Sequence, residues 1–165
     1  MTDLRLTLVP ESAADAPAIE KLNERAFGPG RYARSAYRLR EGNPPDLSLS
    51  FVAFVGTMLV GSNCMTRISF GPTPALLLGP LTVDPSFRSR GIGASLVEAS
   101  LKAARAAGHS LVLLVGDEPY YKRFGFKRVP RGKLEMPGPV DPQRVLICEL
   151  EDGAFEKAGG QILPR

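Results

Sequence analysis

Apolar and polar residues alternate from Leu4 to Val9, with Leu4, Leu6 and Leu8 on one side, the period of a half-buried strand. The period then changes. Ile19, Leu22 and Ala26 recur at helical spacing, Asp15 stands where a cap belongs, and Pro17 falls in the first turn, where a missing N–H costs little. Gly28-Pro29-Gly30 stops that helix. A second helix is predicted over Arg31–Arg40, with Tyr32, Ala36 and Leu39 inward and Arg31, Arg34, Arg38 and Arg40 outward. Glu41-Gly42-Asn43-Pro44-Pro45 ends it. Strand patterning resumes over Ser48–Val55, Met58–Phe70 and Ala75–Val83, joined by Gly56-Thr57 and Gly71-Pro72-Thr73-Pro74. Ile92, Leu96, Val97, Ala99, Leu101 and Ala104 trace the apolar face of a long helix from about Gly91 to Ala107, closed by Gly108. Leu111–Val115 is a continuous apolar run, as in a buried parallel strand. A short helix over Glu118–Phe124 and strands over Phe126–Val129 and Val145–Leu150 complete the pattern, with Arg131–Pro142 a loop.

One dipeptide interrupts a strand. Proline cannot donate to a ladder and glycine favours bulges, so Gly79-Pro80 is expected to bulge Ala75–Val83 and splay it from its parallel neighbour. No repeat or linker divides the chain. The pattern therefore predicts one α/β domain over residues 1–150, with 151–165 a tail that is weakly ordered or packed on the domain. The expected sheet is mixed and mostly antiparallel, six to seven strands with a splayed parallel pair, flanked by about four helices.

Composition narrows the partners. Twenty-one basic against 17 acidic residues leave a net charge of +4, an excess that suits a coenzyme bearing several phosphates. The basic residues are scattered with few aromatics among them, so nucleic acid is not an expected partner. No long apolar span and no charged-then-apolar N-terminus is present, so no membrane partner is expected and cytoplasmic residence is the default expectation. Cys64 and Cys148 read as core thiols, and no ligand cluster suggests a metal. His109 reads as a polar residue at a helix end.

The chemistry concentrates in Arg88-Ser89-Arg90-Gly91-Ile92-Gly93-Ala94, where an apolar strand passes through Asp84-Pro85 into a basic, glycine-bearing loop that opens the long helix. Amides of a first helical turn lack partners, and the helix dipole adds positive charge there, so the loop suits a pyrophosphate. A P-loop is excluded, because no Gly-Lys-Ser/Thr follows at the required spacing. A dinucleotide fingerprint fits weakly: Leu96 occupies its third glycine position, although Asp117 does end the next strand. A turn that merely redirects the chain is the remaining plain reading.

With its flanks included, Arg88-x-x-Gly91-x-Gly93 after a strand ending Leu81-x-Val83-x-Pro85 resembles the acetyl-CoA loop of the GNAT superfamily of N-acetyltransferases. Downstream, Tyr121 stands four residues before Gly125-Phe126, on a short helix after the buried strand, as in that superfamily. Gly116-Asp117-x-x-Tyr120-Tyr121 resembles a branch with undefined acceptors. The resemblance covers about Leu76 to Phe126. It implies a GNAT-like domain that moves acetyl from acetyl-CoA, as cosubstrate and without a metal, to a primary amine of a small molecule or protein. It further implies that Arg88, Ser89, Arg90, Gly91, Ile92, Gly93 and Ala94 hold the pyrophosphate. Leu81, Thr82 and Val83 would hold the pantetheine arm, through the backbone of Leu81 and Val83 in particular. Tyr121 would meet the sulfur as the catalytic acid. A homodimer through sheet edges, common among relatives, is a further implication.

Physical chemistry supports the role given to Tyr121, because a phenol with a pKa of about 10 is protonated at neutral pH and can donate to a developing thiolate. Tyr120 points about 100° away on a helix and should not share that sulfur. The amine, charged on arrival, needs a base. Glu41, Asp46, Asp117 and Glu118 are candidates by availability alone. Arg90, Lys122, Arg123, Lys127 and Arg128 are candidates for the coenzyme's 3′-phosphate. Two rivals remain: a non-catalytic acyl-CoA-binding or regulatory module of the same fold, and a nucleotide-linked oxidoreductase.

Overall fold

The long strands dictate the frame. Met58–Phe70 (β3) and Thr73–Val83 (β4) form an antiparallel pair at the sheet's centre, with Phe51–Val55 (β2) on the other edge of β3 and Leu6–Pro10 (β1) outside β2. Beyond β4 lie Leu111–Val115 (β5), then Val145–Glu149, then Lys127–Arg128 (β6) at the far edge; with Leu134–Glu135 as β7, Val145–Glu149 is β8. Only β4 and β5 run parallel within this path. The computed structural model describes residues 5–27 and 35–164. Leu4, the Gly28-Pro29-Gly30 stop and the predicted first turn of the second helix, with Arg31, Tyr32 and Arg34, lie outside them. Helices occupy Ala16–Phe27 (α1), Ser35–Arg40 (α2), Ile92–Ala106 (α3) and Glu118–Tyr121 (α4).

Strand alternation sorts the core into two faces. Leu76, Leu78, Val112 and Leu114 pack with Val97, Leu101 and Ala104 of α3. Leu77, Leu111 and Leu113 point the other way, to Leu39 of α2 and the C-terminal Phe155 and Ile162. α3 sits close on the sheet because Gly61 has no side chain: a Cβ there would lie 3.0 Å from Leu96 and 3.2 Å from Ile92.

Several boundaries differ from the pattern for local reasons. Asp15 does not cap α1 from in front; it ends a 3-10 turn over Ala13–Asp15, and its carboxylate reaches back to accept the Ser12 N–H at 2.9 Å. Ala99 is only half-buried, whereas Ser100 is fully buried and accepts a hydrogen bond from Asn63 Nδ2 at 3.0 Å. Ser100→Ala would strand that buried amide, so stability is expected to fall by about 1–3 kcal/mol. A thermal melt should lose several degrees; an unchanged Tm would mean that the amide finds another partner.

The tail past Leu150 carries a strand without a legible period. Gly160–Pro164 (β9) pairs antiparallel with Ile68–Phe70, along the edge of β3 that β2 leaves uncovered, and parallel with β7. Only Ile162 of this strand is buried. No helix among the described residues is long and apolar enough to cross a membrane.

Candidate active site

The site begins at the bulge. Opposite Cys64 the ladder jumps from Leu78↔Met65 to Leu81↔Asn63, so Gly79 and Pro80 occupy space where β3 spends one residue. Gly79 takes a φ of 120°, a conformation that a side chain would resist. The inserted residue reverses the parity of everything after it. Leu81 and Val83 thereby face α3 and pack near Gly93, while the Thr82 hydroxyl turns to α1 and donates to Asn23 Oδ1 at 2.5 Å.

The same reversal sets the backbone. Asp84 N–H donates to Val60 O at 2.7 Å, and the register pairs Thr82 with Ser62 two residues earlier. In an antiparallel ladder bonded and unbonded pairs alternate, so the N–H and C=O groups of Leu81 and Val83 point away from β3. On that side β4 meets β5 only at Leu76↔Val112 and Leu77↔Leu113. Past Leu77 the two strands part, and the backbone of Leu81 and Val83 faces the gap.

Into this gap opens a cavity of about 840 Å³, lined by Leu78–Leu81 on one strand and Leu114–Asp117 on the other. Tyr121, Glu11, Cys64 and Arg40 also line it. Tyr121 packs edge-on to Phe126, with ring centroids 5.9 Å apart, and to Tyr120 at 4.9 Å. Burial pushes its hydroxyl up to about 12, with the charges of Tyr120 and Asp117 adding to the shift. The ring rests against Gly116, the position where β5 hands over to α4. Tyr120 turns elsewhere: its hydroxyl approaches Gly93, and it is absent from the cavity wall.

At the other end of β4, Asp84 accepts the Ser86 N–H at 2.9 Å and pairs with Arg25 of α1 at 3.2 Å, which fixes the entry to the loop. Arg88, Ser89, Arg90 and Gly91 are exposed. Ser89 and Gly91 take positive φ values of 65° and 78°. The first helical bond of α3 runs from Ser95 N–H to Gly91 O, so the amides of Ile92, Gly93 and Ala94 precede the helix's own bonding. Arg90 stacks over Phe87 at 5.4 Å beside them.

The other sequence candidates are dispersed. Arg128 pairs with Glu118 at 3.2 Å, Lys127 with Glu149 at 3.3 Å, and Arg123 lies over the Tyr120 ring at 4.7 Å. Lys122 is exposed. Asp46 is held by Arg67 at 2.9 Å, Asp117 by Arg144 at 2.7 Å, and Glu41 is exposed. Glu11 and Cys64 enter the cavity unanticipated, Glu11 because it falls between the periods of β1 and α1. Among the described residues no three potential metal ligands cluster.

Comparison with known proteins gives one consistent family. The sequence profile of the Acetyltransferase (GNAT) domain matches residues 46–128. The uncharacterized N-acetyltransferase YhbS of Escherichia coli is 26% identical over 159 residues, covering 92% of each chain. Its crystal structure in complex with CoA superposes with a TM-score of 0.83 at 25% identity, covering all of this chain and 92% of that one. Another uncharacterized E. coli N-acetyltransferase, YjhQ, is 30% identical over 131 residues, 77% of this chain and 72% of its own. A Brucella melitensis GNAT acetyltransferase in complex with acetyl-CoA gives a TM-score of 0.65 at 28% identity, covering 93% of this chain and 99% of its own.

Proposed function

Since this chain belongs to the GNAT acetyltransferase family, we propose that it transfers acetyl from acetyl-CoA to a primary amine of a small molecule or protein. The observation that carries this reading is the free backbone edge of Leu81 and Val83 in the gap between β4 and β5, where Leu81 and Tyr121 line one cavity. The residues present fit the coenzyme. The amides of Ile92, Gly93 and Ala94, flanked by Arg88, Ser89 and Arg90, receive the pyrophosphate, helped by the positive end of α3. Leu81 and Val83 offer peptide groups to the amide-bearing pantetheine arm, with Thr82 locked on Asn23 to hold that edge in place. Acetyl-CoA supplies a thioester carbonyl as electrophile and a thiolate as leaving group. Tyr121 donates a hydrogen bond to the sulfur as its charge develops.

Ala94→Asp tests the anion site without harming the helix. A carboxylate in the first turn stabilises a helix by about 0.3–1 kcal/mol while competing with phosphate for the same amides. The expected result by calorimetry is an acetyl-CoA affinity at least tenfold weaker, with Tm unchanged or higher. Parent-like affinity would move the pyrophosphate elsewhere. Thiol release from acetyl-CoA over a panel of amines separates an enzyme from a binding module.

A further inference from the structure

Resting on that acetyl-transfer reading, we propose that Glu11 is the catalytic base that takes a proton from the acceptor amine. Glu11 follows β1 directly, and its N–H donates to Ser50 O at 2.8 Å, which continues the β1–β2 ladder and fixes the residue at the cavity wall. Among the described residues, four carboxylate side chains line the cavity: Glu11, Glu20, Asp117 and Asp141. Glu20, Asp117 and Asp141 are exposed; Glu11 alone is buried, at 8%.

The surroundings of Glu11 suit a base. Its carboxylate accepts a hydrogen bond from the Cys64 thiol at 3.4 Å, a weak donor. Among the described residues no lysine or arginine forms an ion pair with it, unlike Asp46, Asp117 and Glu118. Burial raises its proton affinity, the Cys64 bond opposes the shift, and the charge of Asp15 adds to it. Glu20 of α1 lines the same cavity, and Arg40 of α2 acts electrostatically on Cys64. A carboxylate raised towards neutrality accepts a proton from an ammonium more readily than a solvated one does. Glu11 also lies on the acceptor's path to the thioester, because the cavity that holds it holds Tyr121.

The ammonium gives one proton to Glu11 Oε, and the freed lone pair forms the N–C bond as the C–S bond breaks. The nitrogen's second proton ends on the sulfur, and Glu11 releases its proton to solvent. The products are an amide and a free thiol.

The test is Glu11→Gln, which keeps an acceptor for Cys64 and cannot take a proton. Thiol release from acetyl-CoA is followed with hexylamine and phenethylamine, chosen for the apolar lining of Ile19, Phe27 and Pro80, and with a lysine-bearing peptide. At pH 7 the variant should lose a hundredfold or more in kcat. Its rate should climb about tenfold per pH unit towards the amine's own pKa, as free amine forms without help, and the parent's acid limb should vanish. Calorimetry should find acetyl-CoA affinity within twofold of the parent. Melts supply a readout independent of turnover. A carboxyl whose folded pKa is raised contributes stability that is whole below its ordinary value, about 4.3, and is lost as pH rises through the folded value. The Tm of Glu11→Gln should therefore gain on the parent as pH rises above about 4.3.

Equal kcat and equal pH profiles in parent and variant would overturn the role of Glu11. A parent that releases thiol with none of these amines would instead overturn the acetyl-transfer reading. Should Glu11→Gln fail to fold, Glu11→Asp keeps a withdrawn carboxylate and should retain the acid limb at about tenfold lower kcat; losing the limb there would overturn the assignment.

Discussion

Tyr121→Phe is expected to lower kcat about a hundredfold to a thousandfold while leaving acetyl-CoA affinity within a factor of two. The substitution removes one oxygen and keeps the ring that packs on Phe126, Tyr120 and Gly116, so lost packing does not explain the effect. Burial pushes the pKa of Tyr121 up to about 12, which bears on the role proposed for its hydroxyl. A thiol ionises near 8.5, so outright proton transfer from this phenol to the thiolate is uphill by roughly 5 kcal/mol. On the proposed acetyl-transfer reading, Tyr121 would hold a hydrogen bond on the sulfur rather than give up its proton. No alkaline limb attributable to it should appear below about pH 11. Stability carries the complementary signature. The group ionises near 10 unfolded and near 12 folded, so its contribution is complete below pH 10 and is lost between about 10 and 12. Tyr121→Phe should resist alkaline unfolding better than the parent. A variant with the parent's turnover would reduce Tyr121 to packing.

Gly116→Ala should be nearly as damaging although residue 116 carries no reactive group. A Cβ at this position would lie 2.6 Å from Tyr121 Cε2 and 3.1 Å from Leu114 Cδ1. Leu114 is fixed in the core beside α3, and the tyrosine ring is held by Phe126 and Tyr120, so neither yields freely. The ring must shift, and its hydroxyl with it. A displacement near 1 Å costs about a hundredfold in rate, and the overpacking costs about 1–3 kcal/mol of stability. Gly116 acts through Tyr121, so the effects should not add: the double variant with Tyr121→Phe should turn over no more slowly than Tyr121→Phe alone. Additive losses would mean that Gly116 contributes by a route other than the tyrosine.

This glycine gives the Gly116-Asp117-x-x-Tyr120-Tyr121 run a physical basis. Asp117 precedes α4 and pairs with Arg144, Tyr120 turns towards Gly93, and Tyr121 folds back over Gly116. Helical period alone places the two tyrosines apart. The bare strand end beneath the ring follows from contact, which no period encodes.

Legibility followed range. Leu111–Val115 was predicted residue for residue, because a buried strand needs an unbroken apolar run. α3 is legible because five of the six positions read as its face, Ile92, Leu96, Val97, Leu101 and Ala104, are buried, and its opening Gly91 and closing Gly108 are local signals too. β9 was missed because a strand of five residues with one buried side chain carries almost no period. Glu11 was missed because a carboxylate between two elements looks like any solvated turn residue until the fold buries it.

By itself the chain's order of residues determined the strands and helices other than the short β7 and β9, where glycine and proline break them, and that amides beside arginines open α3. These depend on backbone sterics and periodicity within a few residues. Gly79-Pro80 announces the bulge and the splay in the sequence itself; only the tertiary structure decided that β4 and β5 stop pairing after Leu77 and that the Thr82 hydroxyl turns to Asn23. It alone brought Glu11 and Tyr121, 110 positions apart in the chain (121 − 11), to one cavity. Such convergence is set by which distant strands pair and in what register, a competition among non-local contacts that no single stretch of sequence records.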